Sequence, residues 1–173
     1  MSIKVIFLDI DGVLQTRRSS RAFNDMGILS VLDPVGVKFL DTICGEDPSI
    51  KVVISSTWRL GRTRSDFSVI FGALGAINLK RALYWGAGDV VGDSNDFKTL
   101  NLKGIRGDEV EEWLARHPDV EEYVILDDDS DFHEYQKSRL VQTSYDVGIS
   151  HDNMLQVENI LFGGERLEGS ITA

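Results

Sequence analysis

The chain has 173 residues, 42% of them hydrophobic, enough for one sizeable core and too few for two ordinary domains. Its formal net charge of -10 opposes bulk electrostatic adhesion to nucleic acid or to an anionic membrane. A single cysteine, Cys44, excludes an internal disulfide, and the sequence carries neither a secretory pattern nor a run of spanning length, so a soluble protein in a reduced, cytoplasmic setting is expected.

In chain order, Lys4 to Leu8 is an apolar run that reads as a first strand, followed by the turn-forming string DIDG. DPVGVKFLDTIC predicts a helix with Asp33 as N-cap, Pro34 at the first helical position and an apolar face of Val37, Leu40 and Cys44. Lys51 to Ile54 reads as the second strand, SDFSVIFGAL as the second helix and Arg81 to Tyr84 as the third strand. After an irregular stretch from Gly86 to Gly104, GDEVEEWLARH predicts a helix whose acidic residues Asp108 to Glu112 form a solvated first turn. Tyr123 to Leu126 and Leu140 to Thr143 complete five strands, and SHDNMLQVENILFGG predicts a last helix capped by Ser150 and ended by Gly163.

Strands alternating with helices predict an α/β fold, a three-layer Rossmann-like domain around a mainly parallel five-stranded sheet. One domain over residues 1–164 is expected, with a C-terminal tail at 165–173. The stretches between strand ends are consumed by elements the core needs, so the cap is minimal or absent, with small flaps at Gln15 to Leu32 and Gly86 to Gly104.

In open sheets of this kind ligands bind outside the carboxyl ends of the strands, and those ends are rich in chemistry here. FLDIDGVL places Asp9 and Asp11 two residues apart, with Gly12 at the turn. A hard cation such as Mg2+ takes carboxylate and carbonyl oxygens, which suits the Asp9 side chain and the Asp11 backbone carbonyl and leaves the Asp11 carboxyl free. KVVISSTWR presents Ser55 and Ser56 as hydroxyl donors to a phosphoryl group, with Arg59 as a charged fork. YVILDDDSDF puts Asp127 and Asp128 at the fourth strand's tip, where they can complete the metal site. Lys103 and Arg106 both precede the third helix and either can neutralise the carboxylates and a phosphate, with Arg106 nearer the helix start. Trp58 reads as packing against the domain rather than stacking on a base, and the three histidines show no metal-ligand spacing.

This ordered set resembles the haloacid dehalogenase (HAD) superfamily: strand then DxDG, strand then Ser, a basic residue before a helix, and strand then DD, across residues 5 to 128. The strings SSTWR and RGDEVEEWL followed by VILDDD look like the HAD domain of Swiss Army Knife RNA repair proteins. They are similar, more loosely, to the phosphatase modules of phage polynucleotide kinase-phosphatases. The resemblance implies a Mg2+-dependent phosphomonoesterase in which Asp9 attacks phosphorus, Asp11 protonates the leaving alcohol and then activates water, Ser55 holds the phosphate and Asp128 binds the metal. Arg in place of the more usual Lys before the helix is a departure from that pattern.

Residues 12–24 and 54–65 contain six arginines and no acids, which predicts a basic rim at the edge of an otherwise acidic protein. Arg17, Arg18, Arg21, Arg62 and Arg64 are then candidates for contacts with further phosphates of a nucleotide or nucleic-acid end, a 3′-phosphate being favoured. A small phosphorylated metabolite is the alternative substrate. A non-catalytic Mg2+-binding or phospho-accepting module is the alternative of another class, opposed by Asp11, an acid that such a switch does not need. Nothing in the sequence specifies a stable protein partner or a membrane.

Overall fold

The computed structural model describes residues 2–20, 32–86 and 95–163. Its centre is a four-stranded sheet of β1 (Ile3–Leu8), β2 (Ile50–Ile54), β3 (Val120–Asp127) and β4 (Leu140–Gln142), in the spatial order β2-β1-β3-β4. Each neighbouring pair is parallel. The helices are α1 (Pro34–Glu46), α2 (Arg64–Ala73), α3 (Ile77–Ala82), α4 (Arg106–Arg116) and α5 (His151–Phe162), with 3-10 segments at Thr57–Arg59 and Glu134–Arg139.

Alternation along the central strands separates the two apolar layers. Ile6, Leu8, Val52, Ile54, Val124 and Leu126 join the core cluster that contains residues of α1, α2, α3 and α5. Val5, Phe7, Val53 and Ile125 belong to the other cluster, with Val110 and Trp113 of α4. The Trp113 ring meets the Phe7 ring edge-on at 5.4 Å and stacks on His117 at 3.6 Å, so His117 is a packing residue at the end of α4. The result is the expected three-layer α/β arrangement.

Helix boundaries follow local chemistry. The Asp33 carboxylate accepts from Val35 N at 2.9 Å ahead of Pro34, Thr63 and Asp66 form a reciprocal capping box on α2, and Ser150 with Asn153 does the same on α5. Gly163 ends α5 in the left-handed conformation.

The expected strand at Arg81 to Tyr84 is not one. Residues through Ala82 are helical in α3, and Leu83 makes a single parallel bridge to Val52, while Lys98 bridges Ile54 further along the same edge. Two one-residue contacts thus cover the flank where a fifth strand was expected, leaving four strands among the described residues. The reason is tertiary: Ala76 has no capping side chain, and Asp41 of α1 instead accepts from Asn78 N at 2.7 Å and Leu79 N at 3.0 Å. A carboxylate borrowed from a neighbour satisfies the helix start, and the four residues Arg81 to Tyr84 do not reveal that.

The expected tail at 165–173, the flap residues 21–31 with Arg21, and residues 87–94 of the second flap lie outside the described residues. Residues 17–20 begin a helical turn, and Thr16 and Ser19 bond reciprocally at its start. This segment is tied to the loop after β4, since Arg17 N donates to Tyr145 O at 2.8 Å and the Tyr145 hydroxyl donates to Ser20 Oγ at 3.1 Å. Among the described residues no helix is long and apolar enough to cross a membrane.

Cys44 is buried in the larger core, where burial and then the Asp41 carboxylate push its thiol up to about 12. At pH 8 the native protein is therefore expected to leave Cys44 unmodified by a thiol-disulfide reagent and to react fully in denaturant. Rapid native-state labelling would contradict this burial.

Candidate active site

The site is built by sheet register. Leu8 of β1 lies opposite both Ile54 of β2 and Leu126 of β3, so Asp9, Ser55 and Asp127 are the next residues on three adjacent strands. Backbone bonds hold that row: Asp9 N donates to Leu126 O at 2.9 Å, Ser55 N to Leu8 O at 2.8 Å and Thr143 N to Asp127 O at 3.0 Å. Adjacent strands lie about 4.8 Å apart, and this brings carboxylates from β1 and β3 into one cluster. One carboxylate oxygen from each of Asp9, Asp127 and Asp128 lies within 4.8 Å of the others.

Asp9 is 2% exposed and Asp127 is fully buried. Burial raises the Asp9 carboxyl above its usual range, opposed by the Arg106 charge and by a hydrogen bond from Ser56. Burial, and then the Asp9 charge, push Asp127 up to about 7. Two acids so placed call for positive charge, and Arg106 supplies part of it. Its guanidinium donates to Ser55 O at 2.6 Å and to Asp127 Oδ2 at 3.2 Å, and stands 3.7 Å from Asp9 Oδ1. As the first residue of α4 it sits where the helix dipole disfavours a cation, a placement the surrounding carboxylates offset.

Lys103, the other candidate, is exposed, and no hydrogen bond or ion pair joins it to the Asp9 cluster. The structure thus places Arg106, and not Lys103, against the carboxylates. The physical reason is reach: Arg106 enters from the helix start across from Asp127, whereas Lys103 lies in the exposed approach to it.

Three carboxylates against one guanidinium leave a deficit of positive charge, and the donors are all hard oxygens. The residues present therefore fit a divalent cation such as Mg2+. Ser55 adds a second signature: its hydroxyl is buried and makes no hydrogen bond among the described residues. A buried hydroxyl at a strand tip beside Asp9 suits an oxygen-rich ligand.

Several expected substrate contacts have other partners. Arg59 is 3% exposed and its guanidinium is engaged through all three nitrogens, donating to Thr99 O, Ser55 O, Leu100 O and Glu109 Oε2 at 2.9–3.1 Å. It is an internal brace rather than a fork for phosphate. Its partner Glu109 is 6% exposed, which corrects the reading of the whole run 108–112 as solvated. Ser56 is also buried: it bonds the Asp9 carboxylate and accepts from Trp58 N at 3.3 Å, so it orients the acid instead of facing substrate. Gly12 N is likewise committed, to Gln15 O at 2.8 Å. Gly12 is required for space, because with φ at +77° a Cβ there would lie 2.2 Å from the Asp128 carboxyl carbon.

Asp11 stands apart from the three-acid cluster. Its Oδ1 accepts from the Trp58 indole Nε1 at 3.0 Å, a role for Trp58 that neither packing nor base stacking anticipated. The rim arginines are partly neutralised. Arg17 pairs with Asp146 and Arg18 with Asp33, while Arg64 donates to the carbonyls of Leu83 and Tyr84 and lies over the Trp85 ring at 4.6 Å. Arg62 donates to Trp58 O at 2.9 Å and lies 5.2 Å from the Trp58 ring centre.

Removing Glu109 would leave the Arg59 charge buried without its partner. Glu109→Ala is expected to cost about 3–5 kcal/mol of stability in urea unfolding. A loss under about 1 kcal/mol, the range of an exposed pair, would show that the Arg59 to Glu109 pair is not held as described. If the acidic cluster holds Mg2+, millimolar Mg2+ should raise Tm, and Asp128→Asn should abolish most of that rise while keeping the fold. An equal rise in the variant would exclude Asp128 as a ligand.

Comparison with known families agrees with this geometry. No curated protein and no solved structure matches the chain. The family described as the HAD domain in Swiss Army Knife RNA repair proteins matches residues 5–154, a span that includes every strand-tip residue described above. The chain belongs to that family, and through it to the HAD superfamily.

Proposed function

We propose that this protein is a Mg2+-dependent phosphomonoesterase working through a phosphorylated Asp9, and that its substrate is a phosphorylated nucleic-acid or nucleotide end. Membership of the HAD superfamily carries the coarser statement, a phosphatase-type hydrolase. The observation that carries the finer one is the single row of Asp9, Ser55 and Asp127, with Arg106 against both acids and the Ser55 hydroxyl unpaired.

Asp9 is the nucleophile, and its free lone pair attacks phosphorus as the bond to the leaving oxygen breaks. The Ser55 hydroxyl and the Arg106 guanidinium take equatorial phosphoryl oxygens, where negative charge spreads in the transition state. Asp11 delivers its proton to the leaving oxygen. Its carboxylate then takes a proton from the water that attacks phosphorus, releasing inorganic phosphate and restoring both acids. The side chains of Asp9, Asp127 and Asp128 and the backbone carbonyl of Asp11 would hold the cation, whose chemistry is neutralisation of the phosphoryl oxygens. Ser56 contributes by fixing the Asp9 rotamer, and Arg59 by bracing the Ser55 carbonyl against α4.

The nucleic-acid assignment rests on the family's association with RNA repair and on the arginines that remain near solvent. Arg17 and Arg18 have side chains 59% and 70% exposed, and the Arg17 to Asp146 pair, open on both sides, is of the kind that exchanges readily for a phosphate, whereas Arg18 is held by the buried Asp33. With Arg59 internal, the rim is smaller than the sequence suggests.

Phosphate release is to be compared for 3′-phosphorylated and 5′-phosphorylated oligonucleotides, mononucleotides and sugar phosphates. The proposal expects the oligonucleotide 3′-phosphate to be the best substrate, with turnover falling as salt rises and absent in Asp9→Asn. Better turnover of sugar phosphates would assign a metabolite phosphatase. Full activity in Asp9→Asn would refute the covalent mechanism.

A further inference from the structure

Asp11 must hold a proton ready for one oxygen of the substrate, yet a carboxyl at a turn can rotate and present either of its own oxygens. The structure contains a device that removes this freedom. The Trp58 indole N–H donates to Asp11 Oδ1 at 3.0 Å, across 47 residues of sequence. An N–H is a donor only, and in a protonated carboxyl the carbonyl oxygen is a better acceptor than the hydroxyl oxygen, so the contact favours an acid form of Asp11 with its proton on Oδ2.

Trp58 is itself held at several points. It lies in the 3-10 segment Thr57–Arg59, where its N–H donates to the capping Ser56 Oγ at 3.3 Å. Its carbonyl accepts from Arg62 Nη1 at 2.9 Å, and its ring packs against the larger core. The Arg62 guanidinium lies 5.2 Å from the ring centre, and a cation over an indole face draws π density and strengthens the N–H as a donor. The same short segment thus supplies Ser56 to Asp9 and Trp58 to Asp11.

We propose that Trp58 is a positioning residue for Asp11: its N–H fixes Oδ1, assigns the transferable proton to Oδ2 and aims that oxygen at the leaving group, with Arg62 holding the indole in place. The inference rests on the phosphatase reading above. In the first chemical step the Asp9 oxygen forms a bond to phosphorus, the bond from phosphorus to the leaving oxygen breaks, and the Asp11 proton moves from Oδ2 to that oxygen. In the second, water adds to phosphorus, the bond to Asp9 breaks and the proton from water returns to Asp11.

General-acid help matters for a poor leaving group and little for a good one, which separates positioning from simple packing. The experiment measures kcat/KM, which reports the step up to Asp9 phosphorylation, for p-nitrophenyl phosphate and for an oligonucleotide 3′-phosphate with an alkoxide leaving group. Trp58→Phe is expected to lower kcat/KM by about 30-fold or more on the alkyl ester and by less than about 3-fold on the nitrophenyl ester. Equal losses on both would overturn the proposal. In an Asp11→Asn background, Trp58→Phe should bring no further loss on the alkyl ester, whereas additive losses would overturn it.

Should Trp58→Phe fail to fold, replacement of Trp58 by benzothienylalanine keeps the bicyclic shape and removes only the N–H, and the same leaving-group contrast is expected. A wild-type protein that hydrolyses neither ester would overturn the phosphatase reading and this inference with it. An active wild type with uniform losses overturns the Trp58 role alone.

Discussion

The site depends on holding two carboxylates side by side out of water. Asp9 and Asp127 stand at adjacent strand tips, both almost fully buried, and burial together with the Asp9 charge makes that of Asp127 hard to bear. Arg106 at the start of α4 is the protein's own answer, touching Asp127 and approaching Asp9 while gripping the Ser55 carbonyl. A single guanidinium against three acids leaves a local excess of negative charge, and this is what makes the place suitable for a divalent cation.

Around that core of charge, the strand-to-helix segment Ser55 to Arg59 organises the surroundings. Ser56 reaches Asp9, Trp58 reaches Asp11, and Arg59 ties the Ser55 carbonyl to Glu109 of α4. The segment is short enough that these contacts cannot shift independently. The buried Arg59 to Glu109 pair also ties the first turns of α4, which carry Arg106, to this segment.

Much of this was legible in the sequence because local rules wrote it. The apolar runs ending in DIDG, SSTWR and DDD marked three strand tips, and Asp33 with Pro34, Ser150 and Gly163 marked helix ends that the structure reproduces. Other features depend on partners far along the chain and had no local signature. Arg59 reads as an exposed cation until Glu109, 50 residues away, is seen beside it. Ala82 and Leu83 look like part of a strand until Asp41 is found capping the helix that contains Ala82. The sequence left Lys103 and Arg106 both open because they lie at the approach to the same helix, and only the packing of α4 against the sheet shows which of them lies near the acids. Trp58 has a dual nature, an apolar body with a polar tip, and only the structure reveals what the tip meets.

The backbone ladder that continues one residue past the strands has an energetic meaning of its own. Asp9 N is bonded to one neighbour strand and Ser55 N, on the other side, is bonded back to β1. On the proposed mechanism, the orientational entropy of Asp9 and Ser55 is therefore surrendered when the chain folds, not again at every turnover. Adaptation to a new substrate has no slack to exploit in that row. It must come from the segments that border it, the turn at residues 16–20 and the loop at 143–148 that is laced to it.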